Sequence, residues 1–128
     1  MPLGYPRLFT REEANALLPS LQPLVSEIVQ SHSRILAAQP ALAPILEKAL
    51  GNGGSQVAAE VLPDFRRIRA CLDAIYKHGV VVKDLGAGLL DFPASRDGEL
   101  VYLCWRMGED RVAFWHTPAS GFAGRQPL

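Results

Sequence analysis

The chain has 128 residues and a mass of 13.9 kDa, the scale of one domain spanning residues 1–128. Hydrophobic residues make up 48% and charged residues 20%, a balance that excludes a disordered chain. Lys+Arg is 13 and Asp+Glu is 13, so the formal net charge is zero and the broad basic footprint of a general nucleic-acid or anionic-membrane binder is missing.

The first element signal is Thr10-Arg11-Glu12-Glu13, which predicts a capping box: the Thr10 hydroxyl accepts from the Glu13 amide and the Glu13 carboxylate reaches back. Behind it Ala14, Leu17, Leu18, Leu21, Leu24, Val25, Ile28, Val29, Ile35 and Leu36 recur at three- and four-residue steps, one apolar stripe on a long helix. Pro19 and Pro23 interrupt the stripe, and each removes an intrahelical hydrogen bond, so a kink or break is expected near Pro19. Unbroken to Ala37, this helix is about 40 Å long.

Residues 39–55 read as a flexible connector, opened by Pro40 and Pro44 and closed by Gly51-Asn52-Gly53-Gly54-Ser55, with room for a short helical turn around Ile45 to Leu50 between them. A second helix is expected from Gln56 to Lys77, with the stripe Val57, Val61, Leu62, Phe65, Ile68, Leu72, Ile75 and Tyr76. Gly79 stops it. Together these segments predict a helical hairpin over residues 10–78.

From Val80 the hydrophobic period changes to two. Val80–Asp84, Leu89–Pro93, Glu99–Arg106 and Arg111–His116 read as four strands, with turns at Gly86-Ala87-Gly88, Asp97-Gly98 and Gly108. Short turns make this an antiparallel meander within residues 80–128, followed by an irregular Gly-rich tail. A tight turn on Asp97-Gly98 pairs Asp91 with Cys104. A turn on Gly108-Glu109 pairs Cys104 with Ala113 and Tyr102 with Trp115. These registers put Leu90, Phe92, Val101, Leu103, Trp105, Val112, Phe114 and His116 on an apolar face toward the helices. They put Leu89, Asp91, Tyr102, Cys104, Arg106, Arg111, Ala113 and Trp115 on a mixed face, and a one-residue bulge would exchange part of the assignment.

The mixed face is the candidate surface. Arg106 and Arg111 suit an anion, Tyr102 and Trp115 suit stacking, and Asp91 or Cys104 suits chemistry. A solvated or dimer-forming sheet face has the same composition. No zinc signature such as Cys-x-x-Cys is present, and His32 and His78 are placed as structural residues. No histidine falls beside Cys104 in the predicted register, which disfavours a Cys–His nucleophile. Asp97, Glu109 and Asp110 suit turns. Lys83 is expected to pair with Asp91 across strands. Asp84, Asp91, Glu109 and His116 are the candidate ligands should a divalent metal bind, and no other cofactor is predicted. Arg66, Arg67 and Arg69 form a basic spot with Asp64 and Asp73 beside it, so an ion-paired surface is expected there. Two cysteines, Cys71 and Cys104, do not make a disulfide scaffold, and no signal peptide or run of about 20 apolar residues is visible; a cytoplasmic setting is expected.

Phe9-Thr10-x-Glu12-Glu13-Ala14-Asn15-x-Leu17-Leu18-Pro19, Gly79-Val80-Val81-Val82-Lys83-Asp84-Leu85, Gly88-Leu89-Leu90-Asp91-Phe92-Pro93-Ala94, Arg96-Asp97-Gly98 and Val101-Tyr102-Leu103-Cys104-Trp105 form one pattern with Gly108-Glu109-Asp110, Trp115-His116 and Gly121-Phe122-x-Gly124-Arg125-x-Pro127-Leu128. The pattern resembles the uncharacterised prokaryotic family called "domain of unknown function 2203". The resemblance covers nearly the whole chain, least so residues 39–55. It implies a small bacterial or archaeal cytosolic protein and no particular activity. Its polar or reactive members, Asp84, Asp91, Arg96, Asp97, Cys104, Glu109, Trp115, His116 and Arg125, lie on the sheet, its turns and the tail.

The expected fold is α+β, a long antiparallel helical hairpin packed on one face of a four-stranded antiparallel β-meander. Surplus apolar helix surface predicts a homodimer formed through helix packing. The leading functional expectation is a non-enzymatic homodimeric binding or interaction module taking a protein partner or a small anionic ligand, with Arg96, Tyr102, Arg106, Arg111, Trp115 and Arg125 as candidate ligand contacts. The alternative is a small metal-dependent or acid–base enzyme built on Asp91, Glu109, His116, Cys104 and Arg125, with Asp91, Cys104 and His116 as its candidate catalytic groups. RNA binding through Arg66, Arg67, Arg69 and the sheet aromatics is a weaker alternative because the net charge is zero.

Overall fold

Two helices pack as a hairpin against a five-stranded antiparallel sheet in the order β1-β2-β3-β4-β5. The computed structural model describes residues 7–52 and 56–128, with side-chain detail outside residues 39–58. Helix α1 spans Arg11–Asn52 and α2 spans Gln56–Tyr76. The strands are β1 Val81–Asp84, β2 Leu89–Arg96, β3 Glu99–Arg106, β4 Phe114–His116 and β5 Gln126–Pro127.

The capping box forms as expected. Thr10 N donates to Glu13 Oε1 at 2.9 Å, and Glu13 N donates to Thr10 Oγ1 at 3.1 Å. Glu13 lies below the usual carboxylate range because the Thr10 backbone N–H stabilises its charge. The helix does not break at Pro19. Pro19 and Pro23 both lie on its exposed side, where solvent can meet the carbonyls they leave without a donor. The buried stripe Ala14, Leu18, Leu21, Val25 and Ile28 packs instead on the sheet. Nor is there a connector over residues 39–52: α1 runs through both prolines there to Asn52, because Ala41-Leu42-Ala43 and Ile45-Leu46-Glu47-Lys48-Ala49-Leu50 are good helix formers. Residues 53–55 of the expected connector lie outside the described residues.

Beyond the sheet the two helices are tied by a polar cluster. Asp64, only 6% exposed, accepts from Arg34 Nε at 2.8 Å and Arg67 Nη1 at 3.0 Å. Arg34 Nη2 also donates to the buried Ser31 hydroxyl. The Arg34 hydrogen bond holds the Asp64 carboxyl below its ordinary range. Arg67 also reaches Glu27, and Arg69 reaches Asp73. Arg67 and Arg69 of the basic spot are therefore ion-paired, as expected.

The β2–β3 register matches the expectation, with Arg96 opposite Glu99, Phe92 opposite Leu103 and Asp91 opposite Cys104. Asp97 and Gly98 take φ values of 54° and 80°, the two left-handed residues that a tight hairpin turn of this kind requires. The other three expectations about strands are corrected. Strand β4 starts at Phe114 rather than Arg111, and its register is one residue away: Cys104 faces Phe114 and Tyr102 faces His116. The tail is not irregular, since Gln126–Pro127 adds a fifth strand to β4. Pro127 tolerates this place because β5 is an edge strand. Lys83 does not pair with Asp91; Val81 stands opposite Asp91, and the register shifts between Val82 and Asp84.

The β3–β4 difference has a visible cause. Asn15 on α1 reads the backbone of Val112 at both ends: Val112 N donates to Asn15 Oδ1 at 2.8 Å, and Asn15 Nδ2 donates to Val112 O at 3.1 Å. The side-chain amide stands in for a strand partner and draws Val112 out of the ladder. Residues 107–113 form a loop in place of a two-residue turn. The shift by one residue exchanges the faces of β4. Trp115 now packs against the core, while His116 and Phe114 join Asp91, Tyr102 and Cys104 on the opposite face.

Gly88 marks where the sheet meets α1. Its φ is +68°, and an added Cβ would lie 2.9 Å from both Met107 Cβ and Val25 Cγ1. Gly88→Ala is expected to cost about 2–4 kcal/mol in urea unfolding, from left-handed strain plus overpacking. Gly98→Ala, with φ +80° but open space around it, is expected to cost only about 1–2 kcal/mol. Equal costs at the two positions would show that the contact with α1 is slack.

Candidate functional site

Three strands bring together groups far apart in sequence. Asp91 comes from the middle of β2, Cys104 from β3 and His116 from the end of β4. One donor atom from each lies within 4.8 Å of the others, and all three residues are buried. The alternation of the sheet explains the convergence. Asp91 is opposite Cys104, and His116 is opposite Tyr102, two residues from Cys104 on the same face.

The hydrogen bonds define the cluster further. His116 Nδ1 lies 2.8 Å from Thr117 O, and a carbonyl only accepts, so Nδ1 carries a hydrogen. His116 Nε2 lies 3.0 Å from Asp91 Oδ1. With Nδ1 protonated, a neutral ring would turn a bare nitrogen lone pair toward a carboxylate oxygen. That approach requires a proton or a cation at the contact. The second carboxylate oxygen, Asp91 Oδ2, is buried with no hydrogen-bond partner among the described residues. Native proteins rarely leave such an atom unmatched.

On the far side of Cys104 stands Arg125, with Nη1 3.9 Å from Cys104 Sγ. Arg125 is held by Glu109 through two contacts, Nη1 to Oε1 at 3.1 Å and Nη2 to Oε2 at 2.6 Å. Its guanidinium also lies over the rings of Phe114, at 4.0 Å, and Phe122, at 4.4 Å. Burial works against the charge on Glu109, but Arg125 and the Arg106 backbone N–H outweigh it and hold the carboxyl below its ordinary range. Burial pushes the Cys104 thiol up to about 11, against the Arg125 hydrogen bond. A thiol so weakly acidic is a poor nucleophile at neutral pH.

Beside Asp91 and His116 opens a cavity of about 210 Å³, lined also by Lys83, Tyr102, Pro118, Gly121 and Phe122. The Tyr102 ring stacks on His116, with centroids 5.6 Å apart and planes at 29°. Lys83 Nζ sits 5.8 Å from the centre of the same Tyr102 ring.

The candidates named from sequence divide clearly. Asp91, Cys104, His116, Glu109 and Arg125 form one connected group, and Tyr102 adjoins it. Contrary to the expected register, a histidine does lie beside Cys104. Asp84 belongs elsewhere: its Oδ1 accepts from the N–H groups of Gly86 and Ala87 and builds the β1–β2 turn. Glu109 uses both oxygens on Arg125, so it supports the cluster rather than joining its donors. Arg106 and Arg111 are exposed beside and within the 107–113 loop, away from the cavity lining. Arg96 and Trp115 stack on each other at 4.3 Å and line a separate groove on the core side of the sheet. Lys83, Pro118 and Phe122 were missed as site residues. Pro118 and Phe122 lie in the tail, and their place follows only once β5 pairs with β4. Asn15 was missed too, though a poor helix former near the start of an apolar stripe was its signal.

Among the described residues no helix is long and apolar enough to cross a membrane. No curated protein matches the chain, and neither does any solved structure. The family model described as "Uncharacterized conserved protein (DUF2203)" matches residues 7–128 and so takes in every element of the sheet and both helices; the chain belongs to the DUF2203 family.

Proposed function

We propose that this is a metal-binding protein in which Asp91, Cys104 and His116 hold one transition-metal ion at the wall of the 210 Å³ cavity. The observation that carries the reading is Asp91 Oδ2, a buried carboxylate oxygen without a partner. An ion would use that lone pair and resolve the approach of His116 Nε2 to the carboxylate. The Nδ1–H of His116 on Thr117 O supports it further, because metal-bound histidines are oriented by such a bond on the other nitrogen. One thiolate, one imidazole and one carboxylate favour Zn²⁺ over Mg²⁺ or Ca²⁺. Donors on one zinc ion lie roughly 3.5–4 Å apart, so donors that all lie within 4.8 Å of one another need only small shifts, the 3.0 Å His116–Asp91 contact opening and any wider pair closing. Three protein ligands leave a fourth position for a small molecule from the cavity, the make-up of catalytic rather than structural zinc sites. The reading takes the chain to be cytoplasmic, supported by two free cysteines and by the reduced thiol the site needs.

The test is direct. Protein dialysed against a chelator under reducing conditions is expected to take up one equivalent of Zn²⁺ or Co²⁺, the latter with a thiolate charge-transfer band. Cys104→Ser is expected to remove that band and weaken binding by about 100-fold or more, near 2.8 kcal/mol. Absence of stoichiometric binding overturns the reading.

A second reading, the homodimeric interaction module, draws on Leu62, Phe65 and Tyr76, which are 44–51% exposed on α2. Light scattering at high micromolar concentration decides it, and a monomer counts against it. The two readings are compatible, because the metal cluster lies on the sheet face away from the hairpin.

A further inference from the structure

We infer that the cavity beside Asp91 and His116 binds a small organic carboxylate, with its charged end between the metal position and Lys83 and its carbon body against Phe122, Pro118 and the Tyr102 ring. This rests on the metal-binding reading above and assigns the ligand of that same site.

Three observations lead there. The first is the wall composition. Among the described residues Lys83 is the one lysine or arginine in the lining, and Pro118, Phe122 and the Tyr102 ring supply apolar surface around it. A ligand with one anionic end and a carbon body satisfies both parts, whereas a cation would meet Lys83 unfavourably.

The second is charge. A divalent ion held by an aspartate and a cysteine thiolate is formally neutral, and Lys83 adds a single positive charge. Burial penalises any uncompensated charge, so a singly charged anion fits better than a doubly charged phosphate.

The third is size and placement. A cavity of about 210 Å³ is smaller than the 300–1,000 Å³ typical of pockets for drug-sized ligands, which limits the ligand to a molecule well below that size. Lys83 is on the same face of the sheet as Val81 and Asp91, at the register shift in β1. Its ammonium reaches over the Tyr102 ring, which itself covers His116. Lys83 is exposed and carries no core packing, so the sequence is free to place a charge there. Its cross-strand partner is not Asp91, which leaves the ammonium available to a ligand at the cavity.

The experiment uses the full chain loaded with Co²⁺, and benzoate, acetate and inorganic phosphate as probes. Benzoate is expected to change the visible Co²⁺ spectrum saturably, more tightly than acetate because of its ring, and more tightly than phosphate. Lys83→Gln is expected to weaken benzoate by about tenfold without weakening Co²⁺ binding. A spectrum indifferent to benzoate, tighter binding of phosphate, or equal benzoate affinity in Lys83→Gln overturns the inference. A parallel titration of metal-free protein, followed by NMR shifts of the His116 ring, separates the two readings. Lys83-dependent benzoate binding there, without any Co²⁺ uptake, would leave the carboxylate site standing and remove the metal. Failure of benzoate in both titrations removes the carboxylate site, and uptake of Co²⁺ then keeps the metal centre.

Discussion

His116→Ala is expected to lower the unfolding free energy by about 3–5 kcal/mol and to abolish any stabilisation by added Zn²⁺. The first effect follows from what the substitution leaves behind. Asp91 is 2% exposed, and His116 Nε2 is the sole hydrogen-bond partner of its carboxylate among the described residues. Without the imidazole, a buried carboxylate would keep neither oxygen matched, and an orphaned buried charge costs about this much. Small domains are stable by about 5–15 kcal/mol in all, so the loss would be visible in urea at room temperature. Asp91→Asn removes the charge together with the interaction and is expected to cost less. The double variant Asp91→Asn/His116→Ala is expected to be no worse than His116→Ala alone, since the charge that made the single change costly is gone. The second effect is linkage: Zn²⁺ that binds the folded chain raises its stability by about 2.7 kcal/mol at one hundred times its dissociation constant, and only if the ligands are present. A cost below about 1 kcal/mol for His116→Ala would mean that the pair is solvated in solution.

The expectation that fails at this site is instructive because of where it fails. The β2–β3 hairpin is legible because its information is local: Asp97-Gly98 supplies two left-handed residues, and the turn fixes every pair from Arg96 opposite Glu99 to Asp91 opposite Cys104. The β3–β4 connection also contains a glycine, Gly108 with φ 104°, and reads as another tight turn. Its path is decided instead by polar contacts that the hydrophobic pattern does not carry, two within the turn and two from α1. Trp105 Nε1 and the Arg106 N–H bind Glu109, through its backbone oxygen and its side chain respectively, and Asn15 takes both polar groups of Val112 from 97 residues away. A shift of one residue is small in distance and complete in consequence, because it sends every side chain of β4 to the other face. The apolar pattern itself gave little resistance: Trp115 is as acceptable against the core as Phe114. The prolines of α1 mislead in a similar way. They mark helix breaks when considered singly, yet Pro19 and Pro23 lie on an exposed helix face and cost hydrogen bonds that solvent can replace, and the stripe from Ala14 to Ile28 keeps the helix on the sheet. The identity of the site residues was therefore more legible than their geometry. Asp91, Cys104, His116, Glu109 and Arg125 stand out by chemical type, whereas their convergence depends on a register set by tertiary contacts.

Asn15 thus carries a burden out of proportion to its size, and Asn15→Ala is expected to show it twice. Val112 is completely buried, so removing the amide leaves one backbone N–H and one C=O without partners in the interior. Each unmatched group costs about 1–3 kcal/mol, and partial relaxation of the 107–113 loop places the expected total near 2–4 kcal/mol. The amide of Val112 should also lose its protection in hydrogen exchange, more than those of Leu103 or Trp105 in the neighbouring strand. The second consequence falls on the site. With its clamp gone, β4 keeps a short ladder to β3, its pairing with β5, the packing of Trp115 and the His116–Asp91 contact, and the loop can give back the residue it holds. His116 would then spend part of its time off the face occupied by Asp91 and Cys104. Metal affinity is expected to fall by about tenfold or more in Asn15→Ala, although Asn15 lies on a helix across the sheet from all three donors. A variant that loses stability but binds Co²⁺ unchanged would show that the ladder alone fixes β4. A variant that loses both ties the position of the site to one side-chain amide on α1.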